Sequence, residues 1–334
     1  MPAEDAPRPE APIRDVVVVG ASAGGVQVLL DLAASLPRQF PACVLVVLHV
    51  GAHRSLMPEL MTARGPLRAI HPTDGQPLQP GTIFLAPPDH HMLVEDGLVR
   101  LNRGPKENHA RPAVDPLFRS AALACGPRVV GVLLSGRLDD GTAGLQAIKR
   151  CGGLAVVQDP EDAEQPDMPR SAMAHVDVDA CVAGRQLGQV LADLVRRPAA
   201  VPAPTAPREI ALDQAVSVGA GDPMENLNAL GKPSRFACPE CSGVLWELDG
   251  TQPRRYRCHT GHGFTLLSLV HTQQEASDEA LWGAMRALQE REALLRALAE
   301  ESQGAGGGEN AELISQAERT AVHGEQLRTM IESD

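Results

Sequence analysis

The sequence predicts an α/β fold: a doubly wound, mainly parallel sheet in a three-layer αβα arrangement, followed by a small cysteine-bearing module and a helical tail. Three observations predict it. Val16-Val17-Val18-Val19 is a β-branched run of the kind buried on both faces of a parallel sheet, and a small-residue turn leads from it into a helical run at 26–33. Apolar strands and helical stretches then alternate over residues 14–197, the pattern of βαβ units. Beyond them, Cys238-Pro-Glu-Cys241 and Cys258-His-Thr-Gly-His262 stand one hairpin apart, ahead of two long helical stretches.

Each element has its own signal. After the first strand and helix, residues 42–48 form a second buried strand ending at His49, and 82–86 a third, stopped by Pro87-Pro88. Residues 92–101 read as a hairpin around Asp96-Gly97. A helix is expected over 115–125, with Asp115 as its cap and Pro116 in its first turn. Strand 128–134, helix 142–151, short strands at 154–158 and 180–182, and a closing helix at 187–196 complete the domain. The pattern dissolves in a Pro/Ala-rich linker, 198–234, before the cysteine module at 235–270. In the tail, 271–334, Leu281, Met285, Leu288, Leu295 and Leu298 make an apolar stripe. A glycine break at 304–308 and a weaker helix at 311–331 suggest a hairpin packed on its own chain.

Composition removes several classes. With 334 residues and 43% hydrophobic content the chain holds a sizeable core, and 2% aromatics mean that Val, Leu, Ala and Ile build it. A net charge of −12 argues against nucleic acid or anionic lipid as a partner. Seven scattered cysteines do not make a secreted disulfide framework. Residues 1–12 lack the apolar core of a signal peptide, and no apolar run approaches a membrane span, so a cytoplasmic location is expected.

Ser22 sits where the first strand gives way to helix, in Gly20-Ala-Ser-Ala-Gly-Gly25. A hydroxyl there meets unpaired backbone N–H groups and the positive end of a helix dipole, and can attack an ester. A serine in such a turn also serves as a helix cap, and both roles stay open. The spacing misses G-x-G-x-x-G, which disfavours a dinucleotide site. A nucleophile needs a base, with His49, His53, His71, His90, His91 and His109 as candidates. His49 is favoured because it follows a buried strand directly. His90 and His91 could line a pocket. The orienting acid is Asp139 or Asp140, both between a strand and a helix, and one of them acts as a cap. By the rule that chemistry gathers at the carboxyl ends of parallel strands, one rim could hold all three groups.

With these motifs in order, the chain resembles the chemotaxis protein-glutamate methylesterases (CheB-type) over roughly residues 14–195. The likeness rests on Val19-Gly-Ala-Ser-Ala-Gly-Gly25, Leu48-His49 and Pro80-Gly-Thr-Ile-Phe-Leu-Ala-Pro-Pro-Asp-His-His-Met92. It continues in Arg111-Pro-Ala-Val-Asp-Pro-Leu-Phe-Arg-Ser-Ala121, Leu134-Ser-Gly-Arg-Leu-Asp-Asp-Gly-Thr-Ala-Gly144 and Met168-Pro-Arg-Ser171. The resemblance implies Ser22 as nucleophile, His49 as base and Asp140 as acid, with Asp139 as cap or rim residue. It implies hydrolysis of methyl esters on glutamate side chains of methylated chemoreceptors, releasing methanol, with glutamine deamidation as a further activity of some members. No cofactor is needed for that catalysis. Oxyanion donors are expected near Ala23 and in the Gly136-Arg137 turn.

Three departures stand out. The domain starts near residue 14, so a receiver-less form is expected. Arg137-Leu138 replaces the Met-Gly of many relatives, and Ala110, preceded by His109, stands where some carry histidine.

Cys238, Cys241, Cys258 and His262 have the spacing of a closed tetrahedral zinc shell of ribbon type, which is usually structural. His262 is preferred to His259, whose adjacency to Cys258 would strain the geometry. The ribbon or the helical tail could dock a signalling partner. Cys43, Cys125, Cys151 and Cys181 read as small core residues. The basic stretch Arg100, Arg103, Lys106 and Arg111 reads as a solvated face, or as one that meets acidic receptor helices. A second class of function is a catalytically weak regulatory module that keeps the fold and binds a signalling partner; a complete Ser22–His49–Asp140 set favours the enzyme.

Overall fold

Seven parallel strands form the central sheet of the structure, a computed structural model that describes residues 13–49, 55–201, 203–301 and 307–333. The N-terminal segment 1–12, His53 and most of the 304–308 break lie outside the described residues. In chain order the strands are β1 (Val16–Ala21), β2 (Cys43–Leu48), β3 (Arg68–Ile70), β4 (Thr82–Leu85), β7 (Val129–Leu133), β8 (Leu154–Gln158) and β9 (Ala180–Val182). An antiparallel hairpin of β5 (His91–Glu95) and β6 (Leu98–Asn102) stands apart from the sheet. The spatial order is β3-β4-β2-β1-β7-β8-β9. The chain winds outward from β1 in one direction through β2, then crosses to β7 on its other side. That reversal opens a crevice beyond the carboxyl ends of β1, β2 and β7, where ligands bind in open α/β sheets.

The valine run explains why the sheet needs two helical layers. Val16 and Val18 pack with α3 (Val114–Cys125), α4 (Thr142–Arg150) and α5 (Asp167–His175); Val17 and Val19 pack with α1 (Gly25–Ser35), α2 (Met57–Arg64) and α6 (Leu187–Leu194). Side chains alternate across a strand, so a run apolar at every position must be covered on both sides. Each such residue contributes about 1.5–3 kcal/mol by leaving water.

Two helices form where an extended linker was expected. Within 198–234, α7 (Arg208–Val218) and α8 (Pro223–Leu230) lead into β10 (Gly231–Ala237). The linker reading therefore does not extend over 208–230. Asp222 accepts hydrogen bonds from Met224 and Glu225 N–H and caps α8, with Pro223 in the first turn. Helix α7 buries Asp213 and Ser217 beside Ile210 and Val216, and this mixed face hides it from an apolar periodicity count.

β10 pairs with β11 (Val244–Leu248), β12 (Arg255–Cys258) and β13 (Gly263–Thr265) in a four-stranded antiparallel sheet. Leu245, Tyr256, Phe264 and Leu269 form its small core. Chain contacts separate residues 1–269 from 270–334. Helix α9 (Leu266–Glu301) continues into the second unit, where it packs antiparallel to α10 (Gly307–Ser333). Asn310 donates to the Ala299 carbonyl at 2.7 Å, and Met285, Ala299 and Ala317 are buried there. The predicted stripe needs one correction: Leu298 is exposed and Ala299 takes the inner position, because the close pairing of two helices admits a small residue there. Cys181 also differs from expectation. It is exposed, since it lies on the edge strand β9, while Cys43, Cys125 and Cys151 are buried.

Candidate active site

Ser22 and His49 are the first residues beyond β1 and β2, which pair in register through Ala21 and Leu48. The His49 N–H donates to the Ala21 carbonyl at 3.0 Å, and the Ser22 N–H to that of Ser135 at 2.9 Å, so strand pairing continues to both residues. Ser22 does not cap α1. Gly24 takes the cap position with φ 76°, a left-handed conformation suited to glycine, and the Ser22 hydroxyl has no hydrogen-bond partner among the described residues. Beside it Gly136 must be glycine for another reason: a Cβ there would lie 2.8 Å from Ser22 Cβ and would collide with Met168 Sδ.

His49 Nε2 and Asp140 Oδ2 are 2.8 Å apart. Asp140 is a strongly held carboxylate. Oδ2 also accepts from the Val114 N–H at 2.7 Å, while Oδ1 accepts from the Asp115 N–H at 3.1 Å and Asn108 Nδ2 at 3.0 Å. Burial alone would raise its pKa; hydrogen bonds from His49, Val114 and Asn108 outweigh that and hold it below the usual carboxylate range. Two of its donors are the first N–H groups of α3, so Asp140 completes that helix terminus as well.

Asp115 returns the service. Rather than capping α3 as expected, it lies inside the first turn, and its Oδ1 accepts from the Gly141 and Gly144 N–H groups at the start of α4 at 3.0 and 2.6 Å. The physical reason is that α3 begins one residue early, at Val114, and turns Asp115 toward α4. Burial first, then the neighbouring Asp140 charge, push Asp115 well above the usual carboxylate range. Asp139 does not cap α4 with its side chain either; its Oδ1 accepts from the Thr265 hydroxyl at 2.7 Å.

The other histidines have separate partners. His91 is buried with Nε2 on the Pro105 carbonyl at 3.0 Å and Nδ1 accepting from the Ala113 N–H at 3.3 Å, and burial lowers its pKa. It is a neutral structural residue. His71 and His90 meet the carbonyls of Leu85 and Pro88, and His109 faces Glu240 at 2.7 Å. For the oxyanion, one expected donor is already used: the Gly136 N–H bonds the Gln165 carbonyl at 2.9 Å. Among the described residues the N–H groups of Ala23 and Arg137 have no acceptor.

The basic stretch is paired within the chain: Arg100 with Glu95, Arg103 and Arg111 with Asp89, Lys106 with Glu240. A cluster that periodicity gives no hint of lies beneath it. Glu107, Arg119, Asp213, Arg255 and Arg257 form one ionic network, Arg119 and Arg257 both bonding Glu107, at 2.7 and 3.0 Å. Burial works against the Glu107 charge, yet Arg119 and Arg257 hold its pKa at about 2.

The ligating atoms of Cys238, Cys241, Cys258 and His262 all lie within 4.8 Å of one another. Cys241 Sγ–Cys258 Sγ is 3.7 Å and Cys258 Sγ–His262 Nδ1 is 3.5 Å. A tetrahedron with Zn–S near 2.3 Å and Zn–N near 2.0 Å has edges of about those lengths, so this donor set fits zinc. His259 is exposed and outside the cluster.

The CheB methylesterase family model matches residues 17–191. A relative from Leptospira interrogans (strain Fiocruz L1-130), named for protein-glutamate methylesterase and protein-glutamine glutaminase activity, is 34% identical over 171 residues, 49% of this chain and 86% of the relative. The chain belongs to the CheB methylesterase family. A protein-glutamate methylesterase/protein-glutamine glutaminase of Methanosarcina mazei is 37% identical over 172 residues, 48% of this chain and 47% of that protein. The crystal structure of the Thermotoga maritima CheB methylesterase catalytic domain superposes with a TM-score of 0.52 at 30% identity, covering 54% of this chain and 98% of that domain. The likeness therefore covers the parallel-sheet domain. No described helix is long and apolar enough to cross a membrane. Leu138 stands in left-handed backbone, with φ 63°, a conformation that glycine would favour.

Proposed function

We propose that this chain is a serine hydrolase that removes methyl esters from glutamate side chains of chemoreceptor-like proteins in the cytoplasm. The observation that carries the reading is the His49–Asp140 contact at 2.8 Å beside Ser22 on the carboxyl rim of β1 and β2. Ser22 Oγ attacks the ester carbonyl carbon while its proton passes to His49 Nδ1, the ring nitrogen that Asp140 leaves open. The carbonyl electron pair moves to oxygen, where the Ala23 and Arg137 N–H groups receive it. Collapse breaks the C–OMe bond; methoxide takes the proton from His49 and leaves as methanol. Water then gives His49 a proton, attacks the acyl carbon and releases glutamate with Ser22 restored. The same steps on a carboxamide would release ammonia, which makes glutamine deamidation a chemically equivalent reaction at this site.

The Cys238, Cys241, Cys258 and His262 site is proposed to hold one structural zinc, with four protein donors and no position left for substrate. Nothing in the hydrolysis requires it as a reactant.

Methanol release from methylated receptor tests the reading. Ser22→Ala is expected to lower turnover at least about 10³-fold without changing the melting temperature. Turnover within a few-fold of the parent would reject it.

A further inference from the structure

We propose that Asn108 is a positioning residue through which metal loading of the Cys238–Cys241–Cys258–His262 site sets the working geometry of Asp140. The catalytic part of this inference rests on the Ser22–His49–Asp140 reading above.

The Asn108 amide faces two ways. Nδ2 donates to Asp140 Oδ1 at 3.0 Å and to Asp115 Oδ2 at 3.1 Å. Oδ1 accepts from the Thr265 N–H at 3.1 Å and from the Ser268 hydroxyl at 2.9 Å. The orientation is forced: the Asp140 carboxylate requires the amino side, and a backbone N–H requires the carbonyl side. One side chain thus joins the orienting carboxylate to the segment that leaves the metal module.

The loop carrying Asn108 is gripped by both metal knuckles. On one side Glu240, between Cys238 and Cys241, pairs with Lys106 at 3.3 Å and His109 at 2.7 Å. On the other, Gly263, the residue after His262, accepts from the Asn108 N–H at 2.8 Å and donates to the Lys106 carbonyl at 3.3 Å. Arg257, the residue before Cys258, bonds Glu107 through buried groups at 3.0 Å. This grip opposes a local cost. Asn108 and His109 are consecutive non-glycine residues with φ 49° and 62°, a conformation that persists only where surroundings impose it. With the four ligands released from a metal, the two knuckles lose their fixed spacing. The loop can then relax and withdraw a donor from Asp140.

The test uses the full chain, loaded with zinc, stripped with a chelator and reloaded. Asn108→Gly is the primary variant, since glycine keeps the left-handed backbone and deletes only the amide. The parent is expected to lose kcat about tenfold on stripping with KM within about twofold, and to recover with added zinc. Loaded Asn108→Gly should retain one zinc, show that same kcat loss, and lose little more on stripping. A second readout needs no turnover: amide hydrogen exchange at Val114 and Asp115, whose N–H groups bond Asp140, should speed up in the stripped parent and in loaded Asn108→Gly. Should stripped protein aggregate, zinc-loaded Ser268→Ala stands in, with a smaller kcat loss and faster exchange expected. Parent-like kcat and exchange in Asn108→Gly, or an equal stripping penalty in both proteins, overturn the relay. An active Ser22→Ala would instead overturn the triad and the relay's catalytic part, leaving the exchange result to decide the structural coupling.

Discussion

His49 meets Asp140 through Nε2 at 2.8 Å, which leaves Nδ1 as the ring nitrogen that the proposed mechanism uses to take the Ser22 proton. The contact fixes the resting tautomer: a neutral imidazole must carry its hydrogen on Nε2 to donate to the carboxylate. Nitrogen-15 chemical shifts of the neutral His49 ring should accordingly report a protonated Nε2 and a bare Nδ1. Asp140→Asn offers an amide where that donor points and invites the other tautomer. Its kcat is expected to fall by about 10⁴-fold with KM little changed. The Asp115 N–H and the Asn108 amide keep an oxygen acceptor in that variant, whereas the Val114 N–H, which bonds Oδ2, loses its own, so a stability loss accompanies the kinetic one; a loss confined to stability would contradict the role proposed for Asp140.

Asp139 carries the opposite electrostatic burden to its neighbour. Burial pushes its carboxyl up to about 6, with the Thr265 hydroxyl bond only partly compensating. In an unfolded chain an aspartate titrates near 3.9. Between about pH 4 and 6 the folded state therefore holds the extra proton, and stability falls as pH rises through that window. Asp139→Asn keeps an oxygen for Thr265 and removes the titration. It should match the parent near pH 4 and exceed it at pH 7 by on the order of 2 kcal/mol. Urea denaturation across that range would show the gap widening with pH; a constant gap would count against it.

What could be read from sequence divides by the range of the physical signal. β1 and β2 were legible because each residue of a doubly covered strand is apolar, and His49 because it follows such a strand at once. The Cys238–Cys241–Cys258–His262 cluster was legible because its members stand at the spacing that a tetrahedral metal shell requires. Asp115 was placed wrongly, since aspartate before proline has the same local pattern whether it caps its own helix or a neighbouring one. Helix α7 and the Glu107–Arg257 network left no periodic trace: charged residues 150 positions apart are buried by pairing with one another. Asn108 had a weak signal, asparagine being among the few residues that tolerate positive φ, but nothing local says which two segments its amide joins.

Zinc binding is expected to be a folding reaction of the β10–β13 module. Its core of Leu245, Tyr256, Phe264 and Leu269 is small, and domains of that size generally need a metal or disulfides as well. Cys258 already has a depressed thiol pKa, owing first to the hydrogen bond from Cys238 and then, against burial, to His262, so its thiolate is available near neutral pH. Cys238→Ser should lower metal content from about one zinc per chain to near zero and expose Tyr256 to solvent. Full zinc content in that variant, by atomic absorption, would rule out the four-ligand assignment.

Gly136→Ala separates packing from catalysis at the turn that carries Ser22. Its added Cβ would collide with Met168 Sδ and meet Ser22 Cβ at 2.8 Å. Methionine can swing its thioether away, and overpacking of this kind costs about 1–3 kcal/mol. Ser22 Cβ has no such freedom, because strand β1 and the Ser135 carbonyl hold its backbone. Alanine must therefore displace the hydroxyl, and turnover should fall about 10²-fold for a shift near 1 Å. Adding Met168→Ala opens room on the thioether side only. The double variant should recover stability in thermal melts while its kcat stays low; if activity returns together with stability, close approach to Ser22 is not what demands glycine at 136.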